Sequence, residues 1–335
     1  DILIIGSSAD FDTIVELLAK LILKPAFDQK ELDSFKAERV EQILSQKAAA
    51  GQTAKDAAMR LLFGKYPFGH PVGGTADSIG KITRDDLVLY HDRSYIPNNA
   101  ELLVEGDVSA EDVTRIARSQ LGVWGKGGVV PPNFVPPASL TGNKIVVLDS
   151  AASTGTAVLA QIGVSRRAED YFADLIVAKL IASAAGKLGS TLGAQYTSSL
   201  EARYLPGPLV VQVDAPIGNL LPATQAVVSA MINLIQGGAS EEDVNRIKGE
   251  IIAAFASSGN TDAGRGDLLL EIEQYGLGRD YSINFADRLN AVSIEEITAA
   301  AGKHLKPGAL AIAVVGPASQ LQTAFAKLGQ VSVAK

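Results

Sequence analysis

The stretch YIPNNAELLVEGD, Tyr95–Asp107, is echoed far down the chain by HLKPGALAIAVVGP, His304–Pro317. Pro307 follows Pro97 by 210 residues and Gly316 follows Gly106 by the same 210, so no gap opens between the two pairs. The echo extends upstream. KITRDDLVLYHDRSY (81–95) and AVSIEEITAAAGKHL (291–305) each set Thr or Ser ahead of acids, the signature of a capped helix with negative charge at the positive end of its dipole. Each helix stops before a proline, which disfavours helix in the residue preceding it. The apolar runs that follow, AELLVEG (100–106) and ALAIAVVG (309–316), end at Gly and read as strands. A further helix follows each, over SAEDVTRIARSQLG (109–122) and ASQLQTAFAKLG (318–329).

A second pair agrees. DQKELDSFKAERVEQI (28–43) matches SEEDVNRIKGEII (240–252), with Asp28 and Ser240 as N-caps, and with Leu32, Phe35 and Val244, Ile247 on one helical face. Here the offset is 212. Two separate segments agreeing within two residues predict two tandem copies of one α+β domain, each of about 200 residues. The first copy spans 1–124 and the second 144–335, joined by the Gly- and Pro-rich linker GKGGVVPPNFVPPASLTGN, 125–143. The second copy opens with the strands KIVVLDS and TGTAVLAQIGV and the helix DYFADLIVAKLIASAA (170–185). By the same offset, the first copy is expected to begin roughly 68 residues before Asp1, so the first domain reads as truncated.

Totals set limits on function. The chain has 335 residues, 47% hydrophobic and 20% charged, as a globular protein of about two domains does. A net charge of −7 without a basic stripe argues against a nucleic-acid partner. With no cysteine there is no disulfide, no Cys nucleophile and no thiolate metal site, which fits a bacterial periplasm or cell envelope. No apolar run reaches membrane-spanning length, so no membrane span is expected.

Three blocks resemble a known family. They are LLAKLILKPAFDQKELDSFKAERVEQI (17–43), the stretch from GKYPFGHPVGG to LLVEGDVS (64–109), and EQYGLGRDYSINFADRLNAVSIEEITAAAGKHLKP (273–307). In order and spacing they are similar to the pitrilysin and insulinase type of zinc peptidase, which includes the mitochondrial processing peptidase. The resemblance implies a half-clamshell of two domains, each a mainly antiparallel sheet with helices packed on one face. It also implies a second chain to complete a chamber around an unfolded peptide. In such enzymes zinc is held by an H-x-x-E-H helix, whose ligands at i and i+4 share one face, and by a glutamate on a later helix.

None of His70, His91 and His304 has that spacing. The resemblance puts the later ligand at Gln42, an uncharged amide that is a poor donor to zinc. Glu41 is the fallback, turned about 100° away by one helical step. An Arg and a Tyr of the family's second domain would fall on Gly189 and Tyr196 of LGSTLGAQY (188–196), so the cation is missing and the tyrosine present. Ile181–Tyr196 also resembles the glycine-rich loop of the non-catalytic processing-peptidase subunit, which makes Gly189, Gly193 and Tyr196 peptide-contact candidates; the bland reading is a flexible helix-to-strand loop. By the bland reading, too, His70 serves a turn and His304 complements a helix dipole, while His91 lies on a helix beside acids and a tyrosine. Glu241, Glu242, Asp243, Glu295 and Glu296 are read as helix starts.

The expected function is therefore a non-catalytic subunit that helps enclose unfolded peptides. It would hold no metal itself, beside a catalytic zinc-peptidase homologue or a second copy of itself. One alternative is an active zinc endopeptidase whose H-x-x-E-H segment lies upstream. Another is a structural core subunit like those of the cytochrome bc complex.

Overall fold

The computed structural model describes residues 2–46, 49–129 and 134–334. The expected linker at 125–143 and the outer domain limits at 1 and 335 thus fall partly outside the described residues. Helices α1 (Phe11–Leu23), α2 (Gln29–Gln46), α3 (Ala50–Phe63), α4 (Ala76–Lys81), α5 (Arg84–Ser94) and α6 (Ala110–Leu121) lead into strands β1 (Lys144–Asp149) and β2 (Thr154–Ile162). Next come α7 (Tyr171–Leu188), β3 (Gln195–Leu200), β4 (Pro208–Pro216), α8 (Ile217–Ile235), α9 (Glu241–Ser258) and α10 (Asp262–Tyr275). The chain closes with α11 (Tyr281–Ala291), α12 (Ile294–His304), β5 (Ala311–Gly316), α13 (Ala318–Phe325) and β6 (Gln330–Ala334).

The fold is α+β, in two compact units. One comprises Asp1–Ile43, Gly74–Asn133 and Thr261–Leu270, the other Leu44–Gly73, Phe134–Asn260 and Glu271–Lys335. The units interleave along the chain: residues 44–73 cluster with the second, and 261–270 with the first.

The six strands among the described residues all lie in the second unit, in one mixed sheet ordered β3-β4-β2-β5-β1-β6. β5 sits at its heart, antiparallel to β2 and parallel to β1, and all six of its residues are buried. A buried backbone must pair every N–H and C=O, and two neighbouring strands do that here. The side chains of β5 alternate between faces. Ala311, Ala313 and Val315 join Val146, Val158, Ala160 and Val210 under Ala54, Ala58, Met59, Leu62 and Phe63 of α3. The wholly buried Ala54 and Ala58 let α3 approach closely. α8 packs on β2 and β4, and α7 on β3 and α8. Helices therefore cover both faces, where one covered face was expected, because α3 joins this unit and brings an apolar stripe to the second. α8 is, among the described residues, the one helix long and apolar enough to cross a membrane, where no membrane span was expected. Leu220, Ala223, Val227, Ala230 and Met231 bury its inner face within the unit.

The first unit is helical. Val15 and Ala19 of α1 meet α6, whose Ile116 is buried. Lys36 Nζ donates to the Ile82 carbonyl at 2.7 Å, and Arg84 Nε to that of Phe27 at 2.9 Å. Residues 100–106, expected to be a strand like β5, form none; Leu102 and Leu103 are exposed. A strand exists by pairing, and no described strand lies in this unit to pair with. Phe35 departs likewise from its counterpart: Ile247 is buried, whereas Phe35 is 64% exposed.

Elsewhere the two echoes adopt the same local conformation. Thr83 with Asp86 and Ser293 with Glu296 both close reciprocal capping boxes. The Tyr95 N–H bonds to the His91 carbonyl at 2.8 Å and that of Leu305 to Ala301 at 2.9 Å; the turns Asn99 N–H to Ile96 and Ala309 N–H to Lys306 are both 2.9 Å. Gly106 and Gly316 share a positive φ, 150° and 156°. A Cβ at 316 would also come within 2.7 Å of Leu321 and 2.8 Å of Ile217, whereas at 106 it meets open space. Gly316→Ala is thus expected to lower stability by about 2–4 kcal/mol, strain and overpacking together, and Gly106→Ala by only the strain, about 1–3 kcal/mol. Denaturant unfolding of the two variants checks the difference.

Candidate functional site

The sequence places its peptide-contact candidates at the end of α7 and the start of β3. α7 runs on to Leu188 with Ile181 and Ala185 buried, so half of the expected flexible segment Ile181–Tyr196 is core helix. The connection that remains is short and tethered. The Gly189 N–H bonds to the Ala185 carbonyl at 2.8 Å, Leu192 N–H to Gly189 at 3.0 Å, and Asn219 Nδ2 donates to the Leu192 carbonyl at 2.9 Å. Gly193 turns the chain at φ 62° with open space where a Cβ would stand. Lys187 at the last turn of α7 donates to Asp243 on α9 at 2.6 Å.

Gly189 and Tyr196 are brought together. A Cβ at 189 would lie 2.1 Å from Tyr196 Oη and 3.0 Å from its Cζ, so the phenol fills the space a side chain at 189 would leave by. Tyr196 Oη is buried without a hydrogen-bond partner, and so is Ser198 Oγ two residues on. Burial raises the phenol's pKa above its ordinary value. β3 is an edge strand, paired only with β4, and its residues alternate between exposed and half-buried.

Gln42 lies in the first unit, exposed on α2. Its Oε1 accepts from Arg39 Nη1 at 3.1 Å, and its Nε2 donates to Glu38 Oε1 at 3.0 Å. An amide held this way turns its oxygen to a guanidinium. Among the described residues, neither Glu38 nor Glu41 stands in a group of three metal-ligating side chains.

The histidines have other tasks. His91 Nε2 lies 2.7 Å from the Ile22 carbonyl, and its ring stacks on Tyr95. His70 is exposed after the short 3-10 turn Pro67–Gly69. His304 Nε2 lies 2.7 Å from Asp170 Oδ2 and 3.5 Å from Asp174 Oδ2. It faces two carboxylates rather than only its own helix end. Burial pushes the Asp170 carboxyl up, but bonds from Lys303 and His304 outweigh it and hold the group at about 2. For Asp174, burial and then the Asp170 charge push the carboxyl up to about 7, against Lys303. The sequence reading missed both acids. The signal was there: Asp174 interrupts the otherwise apolar YFADLIV at i+4 from Asp170. The acids at 241–243 and 295–296 do stand in first helical turns.

A family model described as "Peptidase M16 inactive domain" matches residues 81–251, just over half of the chain. The chain belongs to that family. A zinc protease of Mycobacterium leprae named as uncharacterized, ML0855, is 24% identical over 94% of this chain and 73% of its own length. The "Non-peptidase homolog YmxG" of Helicobacter pylori is 19% identical over 91% of this chain and 72% of its own. Among solved structures, a peptidase M16 inactive domain from Pseudomonas fluorescens superposes with a TM-score of 0.82 at 22% identity, covering 93% of this chain and 76% of that one. The last match shows a shared fold.

Two measurements test this geometry. Tyr196→Phe removes a buried, unpartnered hydroxyl and is expected to leave stability unchanged or raise it by up to about 1 kcal/mol. Gly189→Ala is expected to cost about 1–3 kcal/mol and less in the Tyr196→Phe background, a coupling that a double-mutant cycle reads. Asp243 gives a pH signature. Bonds from Lys187 and then Ser240, with Arg246 adding, hold its carboxyl at about 2, below its ordinary 3.8. Its contribution is therefore present above about pH 4 and lost as pH falls through 2. Asp243→Asn should be less stable than the parent at pH 5 and converge with it near pH 2, as thermal melts across that range would record.

Proposed function

We propose that this member of the M16 inactive-domain family is a non-catalytic subunit. It would form one side of a chamber that encloses unfolded peptide, while a catalytic homologue bearing H-x-x-E-H supplies the zinc and the base. The observation that carries the reading is Gln42, where the family resemblance calls for a carboxylate and an amide instead bonds with Glu38 and Arg39. A catalytic zinc is held by three charged or imidazole donors, and an amide at the third position brings no charge. At Gly189 the ring of Tyr196 takes the room that the family's arginine would use, so no guanidinium is held ready for a developing oxyanion. The naming of a Helicobacter pylori relative as a non-peptidase homologue supports the same direction.

On this reading β3 is the peptide-facing element. Its outer backbone edge has no strand beside it among the described residues, and an extended peptide can add there through main-chain bonds. The open turn at Gly193 and the phenol of Tyr196 stand at its start. The shared caps, turns and glycine geometry at an offset of 210 support the further proposal that 1–124 and 144–335 descend from one duplicated domain joined by 125–143.

The name zinc protease on a Mycobacterium leprae relative favours a second reading, an active endopeptidase. Metal analysis and peptide hydrolysis decide between them. The protein in its natural full length is expected to hydrolyse no peptide alone, and to support hydrolysis when co-expressed with a catalytic homologue. Glu41→Gln should leave that shared activity unchanged. Chelator-sensitive hydrolysis by the isolated protein, abolished in Glu41→Gln, would overturn the proposal.

A further inference from the structure

Outside the peptide-facing region, the second unit brings three metal-ligating side chains together where α7 begins and α12 ends. Asp170 is the residue before α7, and Asp174 follows one helical turn later on the same face. His304 closes α12. One donor atom from each lies within 4.8 Å of the other two. Asp170 Oδ2 stands 2.7 Å from His304 Nε2 and accepts from Lys303 Nζ at 2.7 Å. Asp174 is the unusual member. Its side chain is 2% exposed, its Oδ2 has no hydrogen-bond partner, and that oxygen points at the same His304 nitrogen from 3.5 Å.

One imidazole N–H cannot serve both carboxylates. It is spent on Asp170, and the ammonium that also binds Asp170 stands on a side chain 68% exposed, with water within its reach. What remains is a buried oxygen directed at a histidine nitrogen with nothing between them to share. A cation at that point would satisfy all three donors at once, displacing the imidazole proton and releasing Lys303 to solvent. The scaffold is rigid enough to hold one. Buried Gln161, at the end of β2, donates to the His304 carbonyl at 2.9 Å and accepts from Lys306 N–H at 2.9 Å, which fixes the backbone carrying the imidazole. Donors about 2.0–2.1 Å from a first-row ion stand about 3.0–3.4 Å from each other, between the 2.7 and 3.5 Å found here.

We propose that Asp170, Asp174 and His304 bind one divalent transition-metal ion of the zinc class, which staples the start of α7 to the end of α12. A nitrogen and two carboxylate oxygens select such an ion over magnesium or calcium, which prefer oxygen alone. The site lies in the second unit and shares no residue with the helix of Gln42, so it stands whether or not the peptidase reading does. Its role is structural: α7 carries Gly189 at its far end, and the ion fixes its near end.

The test uses the purified chain, stripped with chelator and titrated with Zn2+ alone by calorimetry and with Co2+ alone by visible absorption. One ion per chain, a raised melting temperature and a Co2+ spectrum typical of nitrogen and oxygen ligation are expected. His304→Gln and Asp174→Asn should each weaken binding at least about tenfold, a loss that even removal of an outer partner of a metal ligand can cause. Lys303→Met should bind as tightly or tighter, and Glu41→Gln should bind unchanged. Circular dichroism checks folding; should Asp174→Asn not fold, His304→Gln, at a site 20% exposed, carries the comparison. No saturable binding by the folded parent, equal binding by His304→Gln, or loss of binding in Glu41→Gln alone would each overturn the proposal.

Discussion

The second unit depends on the pairing of β5. Its six residues are buried, so neither edge of its backbone can turn to water, and β2 and β1 satisfy the two edges in opposite senses. From that requirement the rest follows. The two faces of a strand so enclosed must both be apolar, and both must be covered. Small residues on one face admit α3, while α7 and α8 lie on the other side of the sheet. Gly316 ends the strand with a backbone conformation and a lack of side chain that let it pass between Leu321 and Ile217. The run at 100–106 shows the same constraint from the opposite side. It has a similar apolar pattern and a glycine of similar φ, yet with no described strand beside it the run forms no ladder and leaves its leucines exposed.

This contrast explains what could be read from the chain alone. Capped starts at Thr83, Ser240 and Ser293 were legible because a cap is a local bond between residues three apart. The turn and the glycine closing each echo were legible for the same reason. Whether an apolar run becomes a strand is decided by its neighbours, and a reading of periodicity assumes they are present. The coverage of both sheet faces was hidden likewise, since α3 is 80 residues or more from the strands it covers. Phe35 and Ile247 hold matching positions on matching helices, and their opposite exposure comes wholly from what surrounds each.

The candidate sites divide along the same line. Gln42, Gly189 and Tyr196 were marked by a family resemblance, and their roles depend on contacts that no spacing reveals. The amide of Gln42 is engaged within its own helix, at i−4 and i−3. The phenol of Tyr196 crosses back over Gly189, a relation seven residues apart in sequence and enforced by the reversal of chain direction between α7 and β3. An arginine at 189 and a tyrosine at 196 in its present rotamer exclude each other sterically. The small residue at 189 and the inward placement of the ring are thus one steric constraint, not two.

α7 is held electrostatically at both ends. At its C-terminal turn Lys187 is bound to Asp243 of α9, a cation placed where the helix dipole favours one. At its start Asp170 accepts from Lys303 and faces His304, an anion placed where the dipole favours an anion. Asp174 breaks this symmetry. It lies one turn inward, buried and without a donor, in a helix where every other fully buried side chain is apolar. A carboxylate there opposes stability unless it is protonated or something positive meets it, and among the described residues the nearest cationic candidate is the imidazole already turned to Asp170. The arrangement makes sense once the charge of α7's first turn is balanced by more than Lys303 and His304 supply.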